Sequence, residues 1–461
     1  MRLIMGKPEK GKPYHIYVEE TEKRIGAFRE FDPARLRGES AGEGPLSGLP
    51  LAVQENIAVR GFRQGCGSRM LEGFVSPVTA TAVRRLQDRG AVVAGTTKME
   101  EFGLLRLFPD GVSGKEGGPE RENPPGGACS PRDDGHPVGG AASAVAAGMA
   151  AVALASDGEG EVRRDAAACG VYGLRPSWGV VSRRGLASVS PSLETVGVVA
   201  GTAARVREVF RIRRGRDDGD PCSRDHPADA GPGGRRIGTY RISIEPSGEE
   251  AWRAALDSLG RRGFSVREAP PPMMEHWVPV YQALAAAETA SSLARFDGVR
   301  FGRRSGGAED PESLVRRARG EGFGIEVKLR ILLGTHILRP PWRELFHDRA
   351  VSQRAAIRRA FDEYFGEVDM VLLPVSPPSA PGDRDGDDHL PGWRNKDRFN
   401  LAAALAGLPA LSFPVTTGGG RPVGLQLMGP PFGEERLFEA AEALAEDFPP
   451  ASPPGLGRDW R

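Results

Sequence analysis

The apolar positions change rhythm several times along the chain. Residues 1–45 are polar and weakly patterned, and a short helix is predicted from Val18 to Phe31. From Leu49 the texture changes, and LPLAVQENIAV reads as a strand rich in apolar and β-branched residues. TATAVRRLQDRGA (79–91) carries Ala82, Val83, Leu86 and Ala91 on one side, the pattern of an amphipathic helix. AVVAGTT (91–97) follows as a buried strand. This β–α–β cadence predicts a sheet covered by helices.

Residues 108–137 break the cadence with many Gly and Pro and few apolar positions, so a long loop is predicted. GGAASAVAAGMAAVALA (139–155) is small and apolar, which predicts a closely packed helix and then a strand. The stretch 156–186 is glycine-rich and charged at its start, and 212–236 reads as a polar loop. A strand (Arg236 to Tyr240), a helix (Glu249 to Arg262) and a strand (Phe264 to Arg267) follow, then a mostly helical stretch from Trp277 to Phe365. DMVLLPV (369–375) is a buried strand, 376–396 a loop, and a last helix runs from Glu434 to Ala445. No fixed-period repeat and no clean linker interrupts this order. The expectation is one α/β domain over 46–446 with a helical insertion at about 277–365, a 1–45 extension and a 447–461 tail.

Composition narrows the functional classes. The 461 residues carry 62 Lys+Arg against 61 Asp+Glu, a formal net charge of +1. A general nucleic-acid or membrane-surface binder needs a basic excess, so neither is expected. No run of 18 apolar residues is present, and the opening MRLIMGKPEKGKPYHIYVEE lacks the apolar core of a secretory signal. The four cysteines (Cys66, Cys129, Cys169, Cys222) form no C-x-x-C pair, so neither a zinc site nor a disulfide framework is expected, and a reducing, cytoplasmic setting is the default. Only 8 of the 62 basic residues are lysines, which makes any catalytic lysine easy to look for.

Several long stretches carry a resemblance: LSGLPLAVQENI (46–57), SRMLEGFVSPVTATAVRRLQDRGAVVAGTTKMEEFG (68–103) and CGVYGLRPSWGVVSRRGL (169–186). ETASSLARFDGVRFG (288–302), GFGIEVKLRILLGTHIL (322–338), LAGLPALSFPV and PVGLQLMG extend it. On these residues the chain, over roughly 26–446, resembles the amidase signature family. More narrowly it resembles the A-type subunit of the amidotransferase that converts Glu-tRNA(Gln) or Asp-tRNA(Asn) to the amide. The resemblance implies an α/β fold, a mixed β-sheet core flanked by helices on both faces, here with shortened N-terminal helices. It implies no cofactor, and no nucleotide-binding loop is evident in the sequence.

The family's Ser–Ser–Lys triad does not carry over. A lysine follows the strand corresponding to LPLAV, a bridging serine lies in G-G-S-S-G-G-S, and the nucleophile ends D-x-G-G-S. The base is needed because a serine hydroxyl alone is a poor nucleophile, and backbone N–H groups of the glycine turn hold the developing oxyanion. In this chain Gln54 stands at the lysine position, Val138 at the bridging serine and Glu161 at the nucleophile. An amide cannot accept a proton at useful pH. Glu159 also enters the turn, where its charge would repel an oxyanion. Loss of a nucleophile alone costs on the order of a millionfold in rate. A neighbouring residue could substitute only from a short list: Ser143, Ser156 or Lys98, the last being otherwise an ordinary solvated or paired lysine.

Other family positions are kept. In the A-type subunits an arginine and an aspartate grip the carboxylate and ammonium of glutamine, and the resemblance puts these at Arg354 and Asp397. Arg354 shares its helix with Arg358 and Arg359, so a solvated charge is the alternative. Cys169 reads as a small buried residue. His136 beside Asp133 and Asp134, and the group Glu159, Glu161 and Asp165, have the residue types of a metal site, but a flexible acidic loop and ion pairs with Arg163 and Arg164 are simpler accounts. No metal is therefore expected.

Three functions stay open at this point. The leading one is a non-catalytic, scaffolding or regulatory counterpart of the A-type subunit, paired with an amidotransferase B-like subunit. The second is an amidase or glutaminase subunit that supplies ammonia through a rebuilt site. The third is a module that binds glutamine or another amino acid through Arg354 and Asp397.

Overall fold

The computed structural model describes residues 13–37, 43–104, 128–129, 137–227, 234–240, 246–308, 310–375, 398–416 and 423–449. The first elements are helix α1 (Tyr14–Ile25), strands β1 (Phe28–Phe31) and β2 (Pro50–Gln54), helix α2 (Thr81–Gln87) and strand β3 (Val92–Thr97). The short strands β4 (Ala128–Cys129) and β5 (Pro137–Val138) come next, then α3 (Gly140–Ala146), β6 (Val152–Asp157), α4 (Glu161–Cys169), β7 (Tyr172–Arg175), β8 (Thr195–Ala200) and α5 (Ala203–Arg213). Strand β9 (Arg236–Thr239), α6 (Pro246–Arg261) and β10 (Ser265–Glu268) precede the helical run α7 (Met274–Leu293), α8 (Pro311–Gly322), α9 (Ile325–Ile337) and α10 (Arg349–Glu367). The chain returns through β11 (Met370–Pro374), α11 (Arg398–Ala406), β12 (Ala410–Val415), β13 (Val423–Met428) and α12 (Glu434–Ala445).

Among the described residues eleven strands form one sheet in the order β1-β3-β2-β6-β8-β7-β12-β13-β11-β9-β10. It is mixed. The run β3–β2–β6 is parallel, the centre from β6 to β11 is antiparallel, and β11–β9–β10 is parallel again. The period of two along each strand divides the core between the two faces. Leu51 and Val53 of β2 and Val152 and Leu154 of β6 pack with α2, α5, α6 and α12. Ala52, Ala153 and Ala155 face α1, α3 and α4. At the other end Val371 and Leu373 of β11 face α7, α10 and α11, while Met370 and Leu372 turn the opposite way. The small side chains of α3 permit close approach: a Cβ on Gly140 would lie 2.2 Å from the Ala27 carbonyl oxygen.

Two predicted elements differ. The helix expected from Val18 to Phe31 begins earlier, at Tyr14, and stops at Ile25, where Gly26 takes a left-handed φ of 64° and caps it. Phe28–Phe31 is instead an edge strand, antiparallel to β3. The predicted loop 108–137 ends in a two-strand ladder, with Ala128 opposite Val138 and Cys129 opposite Pro137. Residues 376–396 lie outside the described residues. No helix among those described is long and apolar enough to cross a membrane.

Candidate functional site

The C-terminal end of β6 and the start of α4 make the centre of the site. Between them the chain reverses over Gly158, Glu159 and Gly160. Gly160 has φ of 96°, and a Cβ there would meet the Asn400 side chain at 2.4 Å, so only glycine fits. The reversal aims the N–H groups of Gly158 and Glu159 at one point. Glu161 Oε2 occupies that point and accepts from both, at 2.8 Å each. A pair of convergent backbone N–H groups before a helix is an anion cradle. Here the cradle is filled by the first side chain of its own helix.

Glu161 is buried. Burial and the nearby Asp157 and Glu159 carboxylates push its carboxyl up to about 8, against the opposing pull of Arg164. Its second oxygen lies between two glycines. A Cβ on Gly103 would be 3.9 Å from Glu161 Oε1 and 3.7 Å from Ser156 Oγ, and a Cβ on Gly158 would be 3.8 Å from both Glu161 Oε1 and the Tyr281 hydroxyl. Burial and the Glu159 and Glu161 carboxylates raise the Tyr281 phenol well above its ordinary value.

Gln54, at the end of β2, is buried and joined to the same site. Its Oε1 accepts from the Ser156 backbone N–H at 2.9 Å and from Ser156 Oγ at 3.0 Å. Asn56 Nδ2 donates to Ser156 Oγ at 2.9 Å. The Ser156 proton is therefore spent on an amide oxygen, which cannot remove it. Of the other candidate substitutes, Ser143 is buried in α3 and donates to the Gly139 carbonyl at 3.3 Å. The Lys98 ammonium lies beside α1: a Cβ on Gly26 would be 3.2 Å from Nζ, and its charge acts on Glu22. Val138 sits in β5, in register with Ala128.

Glu159 corrects an expectation. Its carboxylate does not enter the turn but points to α9, where Arg330 Nη1 meets Oε1 at 2.7 Å with both side chains buried. The expected partner Arg163 instead grips Asp157 through Nε at 3.1 Å and Nη2 at 3.0 Å. Arg175 adds Nη1 to Asp157 Oδ1 at 3.0 Å. Burial alone would raise the Asp157 carboxyl, but these two guanidiniums hold it below its ordinary value. Asp165 pairs with Arg164 at 3.2 Å, as expected, and its other oxygen accepts from the Gly139 N–H at 3.2 Å. Cys169 is buried among the alanines of α3 and α4. His136, Asp133 and Asp134 lie outside the described residues.

The glutamine-binding pair does not come together on what is described, since Asp397 lies outside the described residues. Arg354, on α10, turns its donors inward: Nε to the Leu405 carbonyl at 2.9 Å, Nη1 to Ser192 Oγ at 2.5 Å and Nη2 to the Ser192 carbonyl at 2.6 Å. Glu288 binds the same Ser192 from the other side, through its N–H at 2.9 Å and its hydroxyl. Asn56 and Arg330 lie in stretches that carry the resemblance, but the sequence assigns no role to them or to Tyr281 and does not pair Arg330 with Glu159. Arg330 is 171 positions from its partner, and no local spacing signals such a contact.

The fold and the turn between β6 and α4 define a class. The chain belongs to the amidase family, whose family model matches residues 27–438. Within that family it is similar to the A-type subunit of the glutamyl-tRNA(Gln) amidotransferase of Thermus thermophilus, 39% identical over 450 residues, covering 95% of this chain and 93% of that protein. The corresponding subunit of Haloarcula marismortui is 38% identical, covering 88% of this chain and 97% of that one. Among solved structures, the corresponding subunit of Thermotoga maritima aligns with a TM-score of 0.71 at 27% identity, over 96% of this chain and 92% of that one. The native peptide amidase of Stenotrophomonas maltophilia gives 0.73 at 26%, over 96% and 93%.

Proposed function

We propose that this chain is a non-catalytic counterpart of the amidotransferase A-type subunit, with a scaffolding or regulatory role in the cytoplasm beside a B-like partner. The observation that carries the reading is the Glu161 carboxyl seated on the Gly158 and Glu159 N–H groups. Those are the donors on which an amide hydrolysis would place its oxyanion. A filled cradle, an amide in place of the base and a Ser156 hydroxyl bound to that amide leave three requirements of the chemistry unmet at once.

The partner side of the reading rests on an exposed apolar stretch at and after α9. Leu332, Trp342, Leu345, Phe346 and Val351 are all exposed. The His336 and Trp342 rings lie 5.2 Å apart and the Trp342 and Phe346 rings 6.0 Å apart, so they form one cluster. Apolar clusters of this kind mark docking surfaces. The third function, glutamine binding through Arg354 and Asp397, is disfavoured by the engagement of Arg354 with Ser192 and Leu405.

The test combines assembly and reversion. The chain is run on a sizing column with a B-type subunit, and the triple variant Gln54→Lys, Val138→Ser, Glu161→Ser is assayed for glutaminase activity. The reading expects a stable complex with the wild-type chain, no ammonia from it, and measurable ammonia from the variant. Ammonia from the wild type would establish the rebuilt-enzyme alternative instead, and absence of a complex would remove the scaffold role.

A further inference from the structure

Helix α9 begins at Gly324, which has no side chain to cap it. The cap comes from a residue 223 positions away. Glu101 opens a single 3-10 turn (Glu101–Gly103) after β3, and its Oε2 accepts from the Gly324 N–H at 2.9 Å. Its Oε1 lies 2.5 Å from Ser68 Oγ. The next N–H, that of Phe102, donates to the Cys66 carbonyl at 2.8 Å. One carboxyl therefore joins the turn at 66–68, the 3-10 turn and the start of α9.

The Ser68 hydroxyl stands between two acceptors. Glu101 Oε1 is on one side, and the Gly322 carbonyl, at the end of α8, is 3.3 Å away on the other. A hydroxyl has one proton to donate. When Glu101 is protonated, the acid donates to Ser68 Oγ and Ser68 donates to Gly322, so each group has its partner. When Glu101 is ionised, Ser68 turns to the carboxylate and the bond to α8 is lost. The charged groups facing Glu101 are Arg69, beside Ser68, and Lys328, on α9, whose ammonium also donates to the Gly320 carbonyl at 2.5 Å. On the far side of the turn Glu55 accepts from the Gly67 N–H at 2.8 Å, and burial raises its own carboxyl to about 7. Burial pushes the Cys66 thiol well above its ordinary value, so it stays neutral. Burial also raises the Glu101 carboxyl to about 7, against the pull of Ser68, the Gly324 N–H, Lys328 and Arg69.

We propose that Glu101 is a proton-operated latch on α9: protonated, it ties the start of the helix and the end of α8 to the turn at 66–68, and ionised, it lets the first turn of α9 open to water. The latch sits between two features of the site. Gly103, two residues on, lies beside Glu161 Oε1, and Arg330, on the latched helix, draws Glu159 away from the cradle. Leu332 of the same helix belongs to the apolar stretch assigned to the partner. An effect of the latch on docking rests on that assignment, whereas the latch itself does not.

The test is amide hydrogen exchange of the full chain without any partner at pH 5.5, 7 and 8.5, with labelling times scaled to the intrinsic exchange rate. The closed form holds the proton and the open form, with an ordinary value of 4.5, releases it, so opening grows as the pH rises. The opening equilibrium of the first turn of α9 should increase about thirtyfold from pH 5.5 to 8.5. Glu101→Gln keeps both hydrogen bonds and cannot ionise, so its exchange should stay at the pH 5.5 level throughout. Glu55→Gln should leave the thirtyfold increase in place, and it keeps the test available if Glu101→Gln does not fold. Protection that does not change with pH in the wild type, or the same increase in Glu101→Gln, would overturn the latch. An increase that disappears in Glu55→Gln would do so too, by assigning the titration to Glu55. A missing complex with a B-type subunit would remove the docking surface and leave this result untouched.

Discussion

Replacing Glu161 by glutamine isolates what the filled cradle costs. Glutamine keeps the acceptor that sits on the Gly158 and Glu159 N–H groups but has no proton to lose. The Glu161 carboxyl is at about 8 in the folded chain against an ordinary 4.5. The folded state therefore holds its proton where the unfolded chain has released it. The stabilising effect of that proton is complete below pH 4.5 and is lost as the pH rises from 4.5 to 8. At about 1.36 kcal/mol per pH unit, about 3 kcal/mol is lost by pH 7, and somewhat more by pH 8. With an unfolding entropy of roughly 2.1 cal/mol/K per residue over 461 residues, each kcal/mol moves the melting temperature by about 1 °C. Thermal scans of wild type and Glu161→Gln at pH 5, 6, 7 and 8 should start within about 1 °C of each other and diverge, the variant melting about 3 °C higher at pH 7. A gap that does not change with pH would show that Glu161 releases its proton alike in the folded and unfolded chains. A constant gap with the wild type the more stable would show that the cradle holds a carboxylate anion, ionised throughout this range. Either result would overturn the protonated cradle.

Other perturbations test separate parts of the structure. Arg330→Met should destabilise by about 3–5 kcal/mol, because it leaves the Glu159 carboxylate buried without a partner, and adding Glu159→Gln should recover part of that loss in a double-mutant cycle. His226 places Nδ1 2.7 Å from the Pro227 carbonyl and Nε2 3.2 Å from Glu434, two acceptors that the protonated ring satisfies together. Burial alone would lower its pKa, but the hydrogen bond and charge of Glu434 raise it. Its contribution is therefore present below its ordinary 6.5 and lost as pH rises through the folded value, and the melting-temperature gap between wild type and His226→Ala should shrink in that direction. Leu345→Asp, at an exposed position, should change the melting temperature by less than about 1 °C yet abolish co-elution with a B-type subunit on a sizing column. Co-elution that persists would take the docking surface away from this stretch.

Much of the architecture was legible because its signals are local. The buried runs of β2, β3, β6 and β11 are continuous and apolar, and α2, α6 and α12 carry one-sided apolar stripes that survive any tertiary arrangement. Strand β1 was not legible. FREF is four residues with charges at its centre, and what makes it a strand is pairing with β3, whose residues lie more than 60 positions on. The residue types along the turn after β6 can be read from the chain, but their disposition cannot. Whether Glu159 or Glu161 enters the turn depends on Arg330, which arrives from a distant helix and draws Glu159 away. Arg354 reads as a carboxylate ligand until Ser192 and Leu405 are seen to take its donors. In both cases the deciding partner is remote in sequence and no local spacing announces the contact.

A chain whose oxyanion cradle is filled by its own Glu161 should not hydrolyse amides. The direct measurement is ammonia release from glutamine by the purified wild-type chain, by itself and with a B-type subunit, beside a Glu161→Ala control. Release indistinguishable from the control is expected in both mixtures. Turnover of the wild type clearly above that control would contradict the non-catalytic role and give Glu161 itself a part in the chemistry.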